Sequence, residues 1–272
     1  MYRSKLKNSF VLSFILLILI LVQSIFSLLF PEIYRDNRWI VIALKGSDLT
    51  TLAIVIPSLI ISLFYSRRGN LRAQIIWLGT VYFIFYSSMF YVFGTVYNKF
   101  FLIYILIFNV SALTLIKGLF NLDYKLIGES IKVTADLKKI SWFIFLYITI
   151  LLIMWLSQYI VFVLTDTIPP IYLENGNFAH LIATLNLTLI VVSGLIGAYY
   201  LLIKHPFGFV FTIMFFAQSI YLFILLVFAA IYHTLAGIPG SWDLIPLWAI
   251  IIINMIFFLV VLLKNINQKE LS

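Results

Sequence analysis

The hydrophobic pattern of the chain consists of eight apolar stretches separated by short polar segments. A helix needs roughly 20 apolar residues to cross the hydrocarbon core of a bilayer, and each stretch comes close to that length. The pattern therefore predicts an all-α, polytopic transmembrane bundle of eight spans with no soluble domain. The predicted spans cover about residues 10–30, 47–65, 74–96, 100–119, 140–164, 179–203, 207–232 and 245–263.

The composition supports this interpretation. Of the 272 residues, 64% are hydrophobic and 10% are charged, and the mean hydropathy is +1.12. A soluble domain of this length needs a far more charged surface. The sequence contains no cysteine, which excludes disulfide bonds, thiolate metal sites and dithiol redox chemistry.

The basic residues are distributed unevenly between the two sides of the predicted bundle. With the N-terminus inside, 14 of the 18 lysines and arginines fall in cytoplasmic segments, and the outer segments hold Arg35, Arg38, Lys45 and Lys99. Lysine and arginine are enriched in the cytoplasmic loops of membrane proteins, so this uneven distribution predicts that both termini lie on the cytoplasmic side. It also explains the net charge of +8 as a topology signal, and no nucleic-acid partner is predicted.

Two outer loops share a pattern, which predicts an internal duplication. "FPEIYRDN" (30–37) and "IPPIYLEN" (168–175) align with an offset of 138, and the same offset places "DLT" (48–50) on "NLT" (186–188). We predict two parallel four-helix repeats, residues 1–138 and 139–272, with an inner loop at 120–139 that is either a short surface helix or a basic connector. Each loop is expected to fold over its own half through the matched residues Pro31 and Tyr34, and Pro169 and Tyr172.

Asp48 is the main ionisable candidate within a span. One interpretation is that "GSD" caps a helix that begins near residue 47. The other is that the helix begins earlier, which places Asp48 inside the membrane, one turn from Lys45, as an i, i+3 pair. The aligned Asn186 has no helix break before it and is predicted to be a mid-helix polar residue.

The third span carries Tyr82 and Tyr86 on one helical face. These hydroxyls indicate either the wall of a cavity or hydrogen bonds that support helix packing. Single polar residues at membrane depth in other spans are expected to join neighbouring helices. They are Asn109, Gln158, Gln218 and Asn254.

The sequence indicates no cofactor, no metal site and no catalytic residue. His180 and His233 both fall at outer span ends, but no cluster of acids or further histidines accompanies them. No nucleophile, zinc or nucleotide motif stands out. Enzymatic activity is therefore not expected, although a lipid-directed reaction with Asp48 as base is kept as the least favoured hypothesis.

The text from Gly46 to Tyr104 resembles a known family pattern. It contains "GSDLTTL", "IPSLIISLFYSRRGNLRAQIIWLG", "FYVFG" and "YNKFFLIY". In these motifs the chain resembles an uncharacterised family of prokaryotic eight-span integral membrane proteins without an assigned activity. The resemblance implies a multi-pass protein of the prokaryotic inner or plasma membrane. It also implies an aspartate where this chain has Asn186.

Two functions remain in competition. The first is a transporter or permease for a small solute or a lipid-like substrate, with a site between the halves near Asp48, Asn186, Tyr82, Tyr86 and Lys45. The second is a non-catalytic membrane subunit or sensor that binds a lipid or another membrane protein. The expected partners are the lipid bilayer and either a membrane protein or a second copy of the chain.

Overall fold

The chain folds as a bundle of long apolar helices. The computed structural model describes residues 2–132, 135–238 and 242–267, with no side chains before Leu6. Within these ranges, eight helices are long and apolar enough to span a membrane, which confirms the predicted all-α membrane fold. The Arg3 and Lys5 side chains and Lys269, all used in the charge count, lie outside the described part.

The helices follow one another through short connections. Their bounds are α1 Tyr2–Leu29, α2 Arg38–Thr50, α3 Ile56–Arg67, α4 Leu71–Met89, α5 Phe101–Asn121, α6 Tyr124–Ser130, α7 Leu137–Thr165, α8 Pro170–Leu185, α9 Val191–Leu202, α10 Pro206–Leu235 and α11 Ile245–Lys264. The second span joins α2 and α3 through a π-helical turn at Thr51–Val55, and the sixth joins α8 and α9 through another at Asn186–Ile190. A third π-helical turn, Phe90–Gly94, ends the third span.

Hydrogen bonds join the segments that connect the helices at each end of the bundle. At the end that we call distal, Asn37 Nδ2 donates to the Glu174 carbonyl at 3.1 Å, and Arg38 donates to the Ala236 carbonyl at 2.7 Å. At the opposite, proximal end, Arg72 Nε donates to the Ile266 carbonyl at 2.8 Å. In the predicted orientation, the distal end faces outward.

The second span begins about nine residues earlier than predicted. The sixth begins at Pro170, but it is interrupted at Gly176, whose φ of 49° and ψ of −127° are not helical, so its continuous part starts close to the predicted residue 179. The Asn37 side chain accepts a hydrogen bond from the Ile40 amide at 2.9 Å and so caps α2 at Arg38. Pro170 occupies the first turn of α8, where its missing N–H costs nothing. The hydrophobic pattern placed the start of the second span too late because the polar residues 45–48 interrupt the apolar sequence that begins at Trp39.

Pro57 explains the turn in the second span. Proline has no N–H to donate to the carbonyl four residues earlier, so the helix widens before it. The π-helical turn Thr51–Val55 ends just ahead of Pro57, and Ile56 N donates to Thr51 O. The sixth span makes the same kind of turn at Asn186–Ile190 without a proline. We have no physical account of that second turn.

The core lies along α4 and α10, which are buried over most of their length. They approach closely because Gly79 has no side chain: a Cβ there would lie 2.7 Å from the Ala217 Cβ. Helix α10 also packs on α2, α9 and α11, and α1 packs along α5. Helix α11 is peripheral, with most of its apolar surface left for lipid.

The proximal loop contains a short helix, α6, capped by Asp123. Its Ile127 side chain is fully buried against the bundle, and its Tyr124 ring stacks on Phe207 at 4.4 Å. Of the two alternatives for this loop, a short helix is present, but its Ile127 side chain packs into the bundle and does not face the membrane surface.

Three of the four single polar residues do not join helices. Asn109, Gln158 and Asn254 each donate to the carbonyl four residues earlier in their own helix. Such a bond satisfies the amide in lipid without a partner helix. Gln218 is buried, and the Ser219 hydroxyl donates to its side-chain carbonyl at 3.2 Å.

The contact between α2 and α10 gives a test of the packing. A Cβ at Gly46 would lie 2.6 Å from the Ala229 backbone nitrogen, so a side chain there forces the helices apart. We expect Gly46→Leu to lower the free energy of unfolding by about 3 kcal/mol. The measurement is denaturant unfolding in bicelles, followed by tryptophan fluorescence.

Ala43→Leu is the matched control, one turn earlier on α2. Ala43 lines a cavity, so a larger side chain has room. Equal losses of stability in the two variants would contradict the close contact at Gly46.

Candidate functional site

Asp48 lies at the centre of a buried polar cluster. Its side chain is 0% exposed, and three neutral donors reach its carboxyl oxygens. Gln23 Nε2 donates to Oδ1 at 2.7 Å, the Tyr91 hydroxyl donates to Oδ1 at 2.9 Å, and the Tyr34 hydroxyl donates to Oδ2 at 2.6 Å. Burial of a carboxyl in an apolar bundle is costly unless its oxygens are satisfied, and these donors satisfy both.

Each donor comes from a different part of the chain. Gln23 stands on α1, and Tyr91 stands in the π-helical turn at the end of the third span. Tyr34 follows the short 3₁₀ helix Pro31–Ile33, where its amide donates to the Pro31 carbonyl at 3.2 Å. The cluster therefore ties the first distal loop to α1, α2 and the third span.

The position of Asp48 decides between the two interpretations of "GSD". Helix α2 begins at Arg38 and is capped by Asn37, so Asp48 lies well inside the helix and is not a cap. The proposed pairing with Lys45 is also absent: among the described residues, no ion pair within 4.0 Å joins them. Lys45 is only half-buried and lies outside the cluster.

Burial shifts the pKa of two side chains in the first distal loop, Tyr34 and Asp36. Burial, and then the negative charge of Asp48, raise the pKa of the Tyr34 hydroxyl well above its ordinary value, so Tyr34 remains a donor. Burial also raises the pKa of Asp36, against the opposing effect of the hydrogen bond from the Val96 amide at 2.9 Å. That bond fixes the loop to the end of the third span.

A small polar cavity of about 20 Å³ adjoins the cluster, a volume that holds one water molecule. Gln23, Ser87, Tyr91 and Tyr104 are among its lining residues. The Tyr104 hydroxyl is buried and has no hydrogen-bond partner among the described residues. A water molecule there would satisfy it.

A much larger cavity, of about 840 Å³, lies between the two halves of the chain. Its walls come from α2 and the end of the third span in the first half, and from α7, α8, α10 and α11 in the second. We call it the lateral cavity. Its lining is mostly aliphatic and aromatic, and no lysine, arginine, aspartate or glutamate is found among the described lining residues.

The lateral cavity opens sideways between α7 and α11. Leu146, Ile150 and Met154 on α7 line it, yet their side chains are 61%, 58% and 44% exposed. Towards the proximal end the two helices meet, with the Phe143 and Phe258 rings 4.8 Å apart. In a membrane, the opening therefore faces lipid.

The sequence-predicted residues divide between this cavity and its surroundings. Asn186 and Tyr86 line the cavity, and the Tyr86 hydroxyl donates to Asn186 Oδ1 at 3.2 Å. Tyr82 does not line the cavity, and its hydroxyl donates to the Leu189 carbonyl at 3.1 Å. Asp48 is separated from the cavity by Tyr91, which contacts both.

The two outer-loop motifs adopt different structures. Tyr34 is 5% exposed and bound to Asp48, whereas Tyr172 is half-exposed and faces the His180 ring at 6.4 Å. Pro31 begins a 3₁₀ helix, and Pro169 precedes α8. The expectation that both loops fold alike over their own halves is wrong for Tyr172.

The histidines are separate from the carboxyl. The His233 ring lies 5.0 Å from the Trp39 ring, and its Nε2 lies 3.1 Å from the Trp39 carbonyl oxygen. His180 is exposed. Neither histidine forms an ion pair with Asp48 in the described part of the chain. This geometry offers Asp48 no neighbouring base.

Sequence reasoning missed four residues of the site. Gln23 and Tyr104 lie in spans where they look like ordinary polar residues, and Tyr147 lines the lateral cavity from α7. Tyr91 belongs to the "FYVFG" motif, but helical spacing from Tyr82 and Tyr86 selects Phe90 instead. The turn geometry that brings Tyr91 to Asp48 has no periodic signal.

The cluster predicts a specific cost for losing the carboxyl. Asp48→Ala leaves three buried donors without an acceptor, so we expect it to lower the free energy of unfolding by about 2–4 kcal/mol. Asn109→Ala is the control, because Asn109 bonds only to the carbonyl of Ile105 in its own helix. Similar effects of the two substitutions in bicelles would contradict the cluster.

Comparison with known proteins gives no relative. No family model, no curated protein and no solved structure matches the chain. The family resemblance of residues 46–104 is therefore untested. The function has to be inferred from the cavities and the polar cluster themselves.

Proposed function

We propose that the chain is a membrane carrier for a neutral, lipid-like molecule, which it binds in the lateral cavity. The observation that carries this proposal is the volume of about 840 Å³ with an apolar wall between the two halves. Binding sites for small molecules commonly have volumes of about 300–1,000 Å³ and few polar groups. An apolar occupant needs few partners, which fits a chain with so few polar residues in its spans.

The lining specifies an uncharged occupant. The described lining contains no lysine, arginine, aspartate or glutamate to pair with a charged head group, and the ring of its one histidine, His233, is held at the Trp39 carbonyl. Asn186 and Tyr147 line the cavity, and the described residues offer no partner to the Asn186 amide nitrogen or the Tyr147 hydroxyl. These groups suit a hydroxyl, ester or carbonyl head.

The lateral opening supports access from the bilayer. A lipid-like molecule is already concentrated among the acyl chains, and the gap between α7 and α11 faces them. The exposed lining residues Leu146 and Ile150 form one side of this gap, and Leu247, 52% exposed, lies on the other. The molecule can therefore enter without crossing the polar loops.

An internal duplication remains part of this proposal. Helical segments that start at residues 2, 51, 56 and 71 have counterparts that start at 137, 186, 191 and 206, each 135 residues later. A pseudo-two-fold axis brings equivalent residues into contact, and Gly79 touches Met214, its equivalent at this spacing. The spacing differs from the 138 of the loop motifs and pairs Asn186 with Thr51, one turn from Asp48.

In this proposal, the lateral cavity exists because the first helix of each duplicated half packs differently. In the first half, α1 packs along both α5 and α2. In the second half, the equivalent α7 packs on α9 and makes little contact with α8, or with α11 beyond the Phe143 and Phe258 rings. The lateral cavity occupies that space. In the first half, the corresponding space holds the Asp48 cluster and the small cavity.

A sensor or subunit that binds the same molecule without moving it is the second candidate. The peripheral position of α11 favours it, because a helix with so much free apolar surface is available to another membrane protein or a second copy. We further propose the prokaryotic cell membrane as the location and membership of the uncharacterised family that the motifs of residues 46–104 resemble.

Photo-crosslinking tests the binding site. The probe is a diacylglycerol with a diazirine on its acyl chain, offered to the purified protein in nanodiscs. We expect labelled peptides from α7, α10 and α11, and at least tenfold less labelling with a phosphatidic acid that carries the same chains. Equal labelling by the two probes would contradict an uncharged site.

A matched pair of substitutions localises the labelling. Ile150→Trp places a bulky ring in the opening and is expected to reduce diacylglycerol labelling about tenfold. Ile153→Trp, three residues later on α7, is the control, because Ile153 is 64% exposed but does not line the cavity. Equal reduction in both variants would indicate general contact with lipid.

Movement of diacylglycerol between the two leaflets distinguishes a carrier from a sensor. In proteoliposomes loaded with a fluorescent diacylglycerol on one leaflet, a carrier speeds its appearance on the other leaflet. We expect this acceleration in the wild type and its loss in Ile150→Trp. Binding without acceleration would favour the sensor.

A further inference from the structure

Among the described residues, no cation forms an ion pair with the carboxyl of Asp48 to balance a negative charge. The closest polar groups are neutral: the Gln23 amide and the hydroxyls of Tyr34 and Tyr91. No lysine, arginine or histidine forms an ion pair with Asp48 among the described residues. An uncompensated buried charge is costly, whereas a protonated carboxyl is not.

Several titratable groups lie on the elements that surround Asp48. The distal segment contributes Tyr34 and Asp36, and the third span contributes Tyr91. Helix α5 contributes Tyr104, α2 itself contributes Lys45, and α10, which packs on α2, contributes His233. His233 is held at the Trp39 carbonyl, and Asp36 at the Val96 amide. The immediate shell of Asp48 is thus made of neutral donors.

Both charge states of the carboxyl have hydrogen-bond partners in this shell. As a carboxylate, Asp48 accepts from all three donors. As a carboxylic acid, its proton on Oδ2 can be donated to the Tyr34 oxygen 2.6 Å away, while Oδ1 continues to accept from Gln23 and Tyr91. The Tyr34 hydroxyl then turns towards the neighbouring Tyr104, whose own hydroxyl lacks a partner.

The shell of Asp48 reaches towards the distal surface. Tyr34 lies in the distal loop, next to residues that are exposed to solvent. On the other side, Gln23, Tyr91 and Tyr104 line the small cavity, whose volume is large enough for one water molecule. Hydroxyls and water exchange protons, so the carboxyl is not isolated from the distal surface.

We propose that Asp48 is a reversible proton-binding site, loaded from the distal end through Tyr34. This role goes beyond the carriage of a lipid-like molecule and does not depend on it. Tyr91 belongs to the shell of Asp48 and also to the wall of the lateral cavity. A change of charge at Asp48 therefore acts on the wall of the cavity.

Infrared difference spectroscopy tests this proposal on the full chain in nanodiscs. Spectra recorded between about pH 5 and pH 9 should show the carbonyl band of a buried carboxylic acid that disappears as the pH rises. The band should be absent from Asp48→Asn and retained in Asp36→Asn. A pH-dependent carboxylic acid signal that is identical in the wild type and Asp48→Asn would overturn the proposal.

Single hydroxyl deletions assign the band even where Asp48→Asn does not fold. Tyr91→Phe removes a donor that stabilises the carboxylate more than the neutral acid, so the band should persist to a pH about one unit higher. Tyr82→Phe is the matched control, because its hydroxyl donates to the Leu189 carbonyl and not to Asp48, and the shift should be much smaller. Equal behaviour of Tyr91→Phe and Tyr82→Phe would contradict proton binding at Asp48.

Discussion

The structure depends on a single buried carboxyl and the three donors that satisfy it. Asp48 is sealed inside an apolar bundle, where an unsatisfied acceptor is costly. Its partners Gln23, Tyr34 and Tyr91 must therefore be brought to it from α1, the first distal loop and the third span. One polar side chain on α2 thus joins α1, the first distal loop and the third span by hydrogen bonds and fixes their relative positions.

The same constraint shapes the lateral cavity. In the first half, the cluster draws the helices together and leaves room for about one water molecule. In the sixth span, Asn186 accepts one hydrogen bond from Tyr86, and α7 makes little contact with α8 or α11. A cavity of about 840 Å³ lies in the space between them. A weaker polar connection is thus accompanied by a more open half.

The elements of the fold were predictable because they rest on strong local signals. Apolar runs of span length predicted the eight helices, and the start of α2 was placed too late because the polar residues 45–48 interrupt its apolar sequence. Asp48 was recognisable as a candidate because a charge in such a sequence is rare. Its position inside the helix depends on the cap at Asn37, which the apolar text before "GSD" only partly indicated.

The partners of Asp48 were not predictable in the same way. Tyr34 reaches it through a loop, Gln23 through packing of α1, and Tyr91 through a π-helical turn that shifts the helical face. These arrangements depend on contacts between distant segments, which periodicity does not record. The lateral cavity likewise depends on how α7 and α11 pack, and no single lining residue predicts it from the sequence.

A double-mutant cycle between Tyr34 and Asp48 tests the central claim most directly. The free energy of unfolding is measured in bicelles for the wild type, Tyr34→Phe, Asp48→Asn and the double variant. If the hydrogen bond between them holds the distal loop to the bundle, the two losses are not additive, and the coupling energy is about 1 kcal/mol or more. Additive losses, with a coupling energy near zero, would show that Tyr34 and Asp48 act independently and would contradict this account.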